Sequence, residues 1–549
     1  MTDMTDTVNG GLPEAAAKPV GAKRGQDFND MLGRSEPGRI ADILENGDTD
    51  LSEFAAQAGQ PPHERALAIL VGDDAAGAPR ERKQGDAGAV DAPSASPRSW
   101  GFDVDEINRN YAVAIWGGKT VVVNEQAAGP VNDRVRVMSF ESQSAWFANT
   151  CTEIKGLDGK IRPVTWAQAW QRHPDRRQYE GIEFFPNPDG AAGTPNYLNF
   201  WRGFDVTPSP AGHYTNFRDH LLNNVCDSDP GLFNYVFGWM AHLVQRPRER
   251  PGTALVLIGR RGTGKSKVGE VLGSLFPAHY FQVDDARYIT GQFNEHMASC
   301  LLLQAEEAIW AGDKAAEGRL KGLITSEMQM IESKGVNAIR MRNFVRVIMT
   351  SNESWVVPAG MDERRFVVLD VNPRCAQNHE YFAEMDKQLN EGGRERLLHD
   401  LQTFDLSQLN LRHLPQTPAL LEQKIRSLDS IDDWWFNRLH EAGDWHTQIE
   451  IDDIYKEYLD SIGVGRKRGK AEFGKRLTKL VPNLRKVRPT MEVAPGVMDR
   501  VRCYELPSLD ECRAAFDDLL GQPVPWPPFL PREGERAKQS ADPDDVVPF

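Results

Sequence analysis

The run GRRGTGKS at Gly259–Ser266 constrains this chain more than any other feature of it. It follows at once on an apolar stretch of strand length, Thr253–Gly259 (TALVLIG). It precedes Val268, Val271, Leu272, Leu275 and Phe276, which recur on one face of a helix. Strand, glycine loop and helix in that order fit G-x-x-x-x-G-K-S, in which backbone N–H groups and a helix N-terminus cradle phosphate. Gly259, Gly262, Thr263 and Gly264 shape the loop. Lys265 is placed to reach β- and γ-phosphates, and Ser266 offers a hydroxyl to Mg²⁺. The pattern predicts ATP and Mg²⁺ as cofactors, and strand–helix alternation after it predicts a parallel α/β sheet.

Two more apolar strands deliver polar residues at their ends. Cys300–Ala305 (CLLLQA) runs into Glu306 and Glu307. Beside a phosphate loop, Glu306 is assigned to the metal and Glu307 to the base that deprotonates an attacking water. Phe344–Asn352 (FVRVIMTSN) ends in Asn352, suited to the γ-phosphate or that water. Lys265 to Glu307 is 42 residues and Glu307 to Asn352 is 45, which predicts a compact ATPase core. Arg364 and Arg365 follow in DERRF (Asp362–Phe366); Arg364 is expected to reach a neighbouring subunit's γ-phosphate, Arg365 its own phosphate or a structural partner. Between acids and sensor, Ile331–Asn343 alternates polar and apolar residues around Lys334-Gly335. That is a hairpin pattern presenting Lys334, Arg340 and Arg342 to nucleic-acid phosphates.

The 549 residues allow two or three domains, and 40% hydrophobic with 26% charged residues is ordinary for a globular chain. No run approaches 18 apolar residues and no signal pattern opens the chain. The expectation is cytoplasmic, host cytoplasm if phage-encoded, with no membrane contact. A formal charge of −15 excludes a surface coated for nucleic acid and leaves local basic patches. Six scattered cysteines without a CxxC pair predict reduced thiols. Composition divides the chain into a largely disordered region and linker (1–99), a mixed α/β or helical domain (100–246), the ATPase (247–375), a helical connector (376–448), a basic domain (449–508) and a tail (509–549). Trp434 and Trp435 are expected in a core.

Arg466–Arg488 holds ten Lys or Arg and one acid, Glu472. Phe473, Leu477 and Leu480 mark its apolar face and leave Lys475, Arg476 and Lys479 for DNA, as in the recognition helix of a winged helix. The chain ends SADPDDVVPF. Asp544, Asp545 and terminal Phe549 suit docking into an apolar pocket rimmed by basic groups, and the end resembles the acidic tips of bacterial single-stranded-DNA-binding proteins, which implies docking on a replisome partner such as a DNA polymerase.

GRRGTGKS, LLLQAEEA, IESKGVNAIRMRN, MTSN and DERRF together resemble the superfamily 3 helicases, most closely the phage- and poxvirus-type primase-helicases. The resemblance covers about residues 195–370. It implies an AAA+-like core and a homo-hexameric ring translocating 3′→5′ on single-stranded or forked DNA. A primase domain is not expected: Asp103 and Asp105 form a DxD pair without a histidine motif or sufficient folded length around it. An origin-binding initiator that uses ATP as an assembly switch is the main alternative; a DNA-packaging motor ranks lower.

Overall fold

The computed structural model describes residues 101–528, apart from 132–133, 156–158, 286, 292–293, 308–313, 333–336 and 443–444. Region 1–99, Lys334 and the tail residues Asp544, Asp545 and Phe549 lie outside the described residues.

The first described helix, Val104–Asn110, is capped by Asp103, whose carboxylate accepts the Asp105 N–H at 2.9 Å. Asp103 of the DxD pair is therefore the helix cap, and Asp105 is an acid of the first turn. An antiparallel sheet follows, β1 (Tyr111–Trp116), β2 (Lys119–Glu125) and β3 (Val135–Met138), in that order. Side chains alternate across a strand, so this sheet serves two cores. Tyr111, Val113 and Val122 pack against Trp166 and Trp170 on one face, while Ala114, Trp116, Val121 and Val123 join the main core on the other. A hairpin, β4 (Cys151–Lys155) and β5 (Ile161–Thr165), and a short parallel pair, β6 (Gly181–Glu183) and β7 (Tyr197–Asn199), complete this region.

The expected domain boundary near residue 246 is not a boundary in packing. Phe200, Trp201, Phe217 and Trp239, from before the boundary, share one core with the central sheet. That sheet has five parallel strands in the order β14-β8-β13-β10-β9. They are β8 (Ala254–Ile258), β9 (Tyr280–Val283), β10 (Leu302–Glu306), β13 (Arg346–Ser351) and β14 (Phe366–Asp370), with the hairpin β11 (Met328–Ile331) and β12 (Ile339–Arg342) inserted between β10 and β13. β8 and β13 are buried at every position, the pattern of parallel strands covered on both faces.

A second core begins within the helix Pro418–Arg426: Leu420 belongs to the first and Leu421 to the second. The second is built on Trp434, Trp435, Tyr458, Phe473 and Phe516, so the tryptophan pair is core as expected, and the connector is shared between two cores. Around it run β15 (Gln448–Glu450), the helices Ile451–Ser461 and Lys470–Leu480, β16 (Arg485–Val487), the hairpin β17 (Thr490–Ala494) and β18 (Val497–Arg500), β19 (Cys503–Glu505) and the helix Leu509–Leu520. β15-β19-β16 form an antiparallel sheet. Helix, helix, strand and hairpin succeed one another in this module. All six cysteines are free thiols.

His279 lies at the seam between the pre-sheet segment and β9. Its Nδ1 donates to Ser299 O at 2.9 Å, its Nε2 accepts the Arg202 N–H at 2.8 Å, and its ring stacks on Trp201 at 4.7 Å between centroids. Only the neutral ring satisfies both bonds, and burial lowers its pKa to about 4. Below the unfolded pKa of about 6.5 the unfolded chain binds the proton first, so stability falls with pH down to about 4. The expected loss is about 3 kcal/mol. Urea denaturation at several pH values should show a shallower slope in His279→Gln; an unchanged slope would contradict this assignment.

Candidate functional site

β8 feeds the glycine loop, and the helix Lys265–Gly273 leaves it. Gly264, in the left-handed region at φ 83°, turns the chain into that helix. A Cβ there would stand 2.6 Å from Phe382 and 2.7 Å from His220, so only glycine fits. The loop's carbonyls are bound one by one. Lys265 Nζ donates to Gly259 O (2.8 Å) and Arg260 O (2.7 Å). Gly262 O accepts the Gln377 N–H (3.0 Å), Thr263 O the Cys375 thiol (3.6 Å), and Gly264 O the His220 Nε2–H (3.1 Å). These bonds hold the loop in shape through its carbonyls.

His220 opens a π-helical turn, His220–Val225. Asn224 Nδ2 donates to its Nδ1 at 3.0 Å, which fixes the proton on Nε2. Burial lowers its pKa and keeps the ring neutral. Sequence reading missed His220, Cys375 and Gln377. Their only signal is spatial, since they stand 44, 112 and about 115 residues from the loop.

The strand order decides the rest of the geometry. β13 lies between β8 and β10, so Asn352 stands between loop and acids. Its Oδ1 accepts from Lys265 Nζ at 3.0 Å, and its Nδ2 donates to Glu307. Consecutive carboxylates at a strand end point to opposite faces. Glu307 escapes this through a left-handed backbone (φ 51°), fastened by its N–H to Thr350 O at 2.8 Å. Lys265 is 7% exposed; burial lowers its pKa, while Glu307, Asp370 and Glu306 oppose the shift.

Glu306 is held from beneath. Gln304, fully buried in β10, donates through Nε2 to Glu306 Oε1 (2.9 Å) and Ser266 O (3.2 Å), and accepts from the Tyr280 hydroxyl (2.9 Å). Gly269 makes room for it: a Cβ there would lie 1.7 Å from Gln304 Oε1. A lone glutamine in an apolar strand was the overlooked signal. Ser266 and Glu306 line the same cavity of about 760 Å³. One hydroxyl and one carboxylate fit Mg²⁺, which takes few protein ligands and completes its shell with phosphate oxygens and water.

Arg364 is exposed. Arg365 is half-buried against Glu363 (3.3 Å), and its carbonyl accepts the Ala254 N–H at the start of β8 (2.7 Å), a structural position. The β11–β12 hairpin forms as expected. Arg340 faces Met330 and Arg342 faces Met328 across it, both arginines exposed, while Ile331 and Met341 are buried.

On the helix Lys470–Leu480, Lys475 and Lys479 are exposed, but Arg476 is not available to DNA. Its guanidinium forms a bidentate pair with Asp432 (2.6 and 2.5 Å), fastening this helix to Ser430–Glu441. Lys486, Arg488, Arg500 and Arg502 line a groove of about 1090 Å³ with Lys475 and Lys470, alongside Glu450, Asp452 and Asp499. Arg500 and Arg502 lie beyond the basic run in sequence and reach it only because β18 and β19 return beside the helix.

Four substitutions test these assignments. Gln304→Leu is expected to raise the Mg²⁺ concentration needed for half-maximal ATP hydrolysis 10–100-fold, the usual cost of losing a group that orients a ligand. An unchanged Mg²⁺ dependence would rule out that role. Arg476→Met leaves Asp432 buried and unpaired and is expected to destabilise by about 2 kcal/mol, less than a fully buried pair because part of the guanidinium is solvated. Lys475→Met and Lys479→Met should weaken DNA binding and leave thermal unfolding unchanged; the reverse pattern would overturn the division of roles.

Residues 257–365 match a family of unknown function, DUF5906. The chain is 27% identical over 310 residues to a "DNA Primase-polymerase" of Nitratiruptor phage NrS-1, covering 53% of this chain and 40% of that one. This chain thus spans well under two thirds of that relative. Among solved structures, the apo NrS-1 C terminal region (305-718) superposes with TM-score 0.53 at 17% identity, covering 73% of this chain and 98% of that one. Its A form gives TM-score 0.51 at 18% identity over the same shares. The likeness to those structures is one of fold, and the chain is related in sequence to a phage protein named for DNA synthesis.

Proposed function

We propose that this chain is an Mg²⁺-dependent ATPase that drives a ring-forming DNA helicase in phage replication. The observation that carries the reading is the unbroken chain Lys265–Asn352–Glu307 across three strand ends, beside Glu306 and Ser266. Lys265 exchanges its loop carbonyls for β- and γ-phosphate oxygens when nucleotide enters. The loop N–H groups take the remaining phosphate charge. Asn352 orients the attacking water, and Glu307 accepts its proton. Ser266 and Glu306 would hold Mg²⁺, which would supply charge neutralisation at the phosphates. Exposed Arg364 is the group free to enter a neighbouring subunit's site, an arrangement typically worth ~10³–10⁵ in rate.

The DNA-facing part of the proposal rests on Arg340 and Arg342 of the hairpin, with Lys334 at its turn, and on Lys475 and Lys479 beside the basic groove. Homo-hexamer assembly, 3′→5′ movement on single-stranded or forked DNA and docking of a polymerase by Asp544, Asp545 and Phe549 belong to the same proposal. So does a place in the host cytoplasm; among the described residues no helix is long and apolar enough to cross a membrane. The relative is named for primase-polymerase activity, which this reading does not extend to the present chain.

A second reading, an ATP-switched origin-binding initiator, is favoured by the groove between the helix Lys470–Leu480 and the wing strands. Forked DNA with a single 3′ or 5′ tail separates the two. ATP-dependent displacement of the 3′-tailed fork alone, lost in Lys265→Ala, is expected for the helicase. Hydrolysis without displacement, together with sequence-specific duplex binding, would replace it with the initiator.

A further inference from the structure

The cavity that holds Lys265 and the acids continues past the loop to a wall made by Gln377, His379 and Phe382. At about 760 Å³ it falls in the range of sites that enclose a whole small ligand rather than a phosphate group alone. The wall and the loop are one unit. The Gln377 N–H binds Gly262 O, and Lys267 Nζ, from the loop helix, bonds Asp386 on the wall helix His379–Gln388 at 3.1 Å. Phe382 is half-buried and braced edge-on by Tyr381 (5.4 Å) and His220 (5.8 Å). Gln377, a non-glycine residue at φ 57°, is exposed. Its carboxamide bonds to none of the described residues.

We infer that this wall is the nucleobase subsite, and that it selects purine over pyrimidine nucleoside triphosphates. The inference rests on the nucleotide reading above. A ring held in place beside the phosphate loop offers a π-face on which a base stacks at little cost in side-chain entropy, and the larger purine gains more from it. Gln377 carries both a donor and an acceptor, which suits the polar edge of any base, so the preference for purines rests on the stacking area at Phe382. His379, exposed at the first turn of the wall helix, closes the rim.

Calorimetric titration of the full chain, in Mg²⁺, with ATP, GTP, CTP, UTP and inorganic tripolyphosphate tests it. The wild type should bind ATP and GTP about tenfold more tightly than CTP and UTP. Phe382→Ala should bring the purine-to-pyrimidine affinity ratio down to about one, whatever shift it causes in tripolyphosphate affinity, and Phe382→Trp should restore discrimination. Equal wild-type affinity for all four nucleotides, or discrimination that survives Phe382→Ala, would overturn the subsite and leave the nucleotide reading standing. Failure of the wild type to bind any nucleotide or tripolyphosphate would overturn both.

Discussion

A lysine ammonium buried in a glycine loop needs an acceptor for each of its three protons, because a buried charge without partners is too costly to keep. Gly259 O, Arg260 O and Asn352 Oδ1 provide the three. Much of the site's form follows from that requirement. Two of the acceptors shape the loop, and the third ties the loop to the sensor strand. Asn352 in turn fastens Glu307, so the same small network that solvates Lys265 also aims the acid. The lysine, the loop and the acid are thereby held in one connected set of hydrogen bonds.

The external bonds to Gly262, Thr263 and Gly264 extend this logic outward. His220 belongs to a segment that packs before the sheet, and Cys375 and Gln377 follow its last strand. The loop is thus gripped by parts of the chain from either side of it in sequence. This explains why residues 198–244 share the sheet's core and do not form a separate one. Burial of Phe217 and Trp239 there keeps the His220 turn in register with the loop.

Charge is distributed in the same local manner. The chain is acidic overall, yet one face of the C-terminal module gathers Lys475, Lys486, Arg488, Arg500 and Arg502 around a groove. Arg476, in the middle of that basic text, is turned inward to Asp432. Its neighbours Phe473 and Leu477 are core residues, and position 476 sits on the flank where the helix meets Ser430–Glu441. A helix that presents a basic face must still be attached, and a bidentate arginine pair is a strong attachment.

The sequence alone determined the local chemistry. Apolar runs of strand length fixed β8, β10 and β13. Glycine spacing fixed the loop and marked Lys265, and polar residues at strand ends marked Glu306, Glu307 and Asn352. Alternation around residues 331–343 gave the hairpin, and the tryptophan pair gave a core. These are legible because each depends on neighbours a few residues away. Tertiary structure alone decided the strand order that sets Asn352 between lysine and acid, the left-handed turn of Glu307, and the buried support of Gln304. It also decided the grip of His220, Cys375 and Gln377 on the loop, and the commitment of Arg476 to Asp432. Each of these joins residues far apart in the chain, and no period or spacing encodes a contact whose partner is chosen by how sheets and helices close on a shared core.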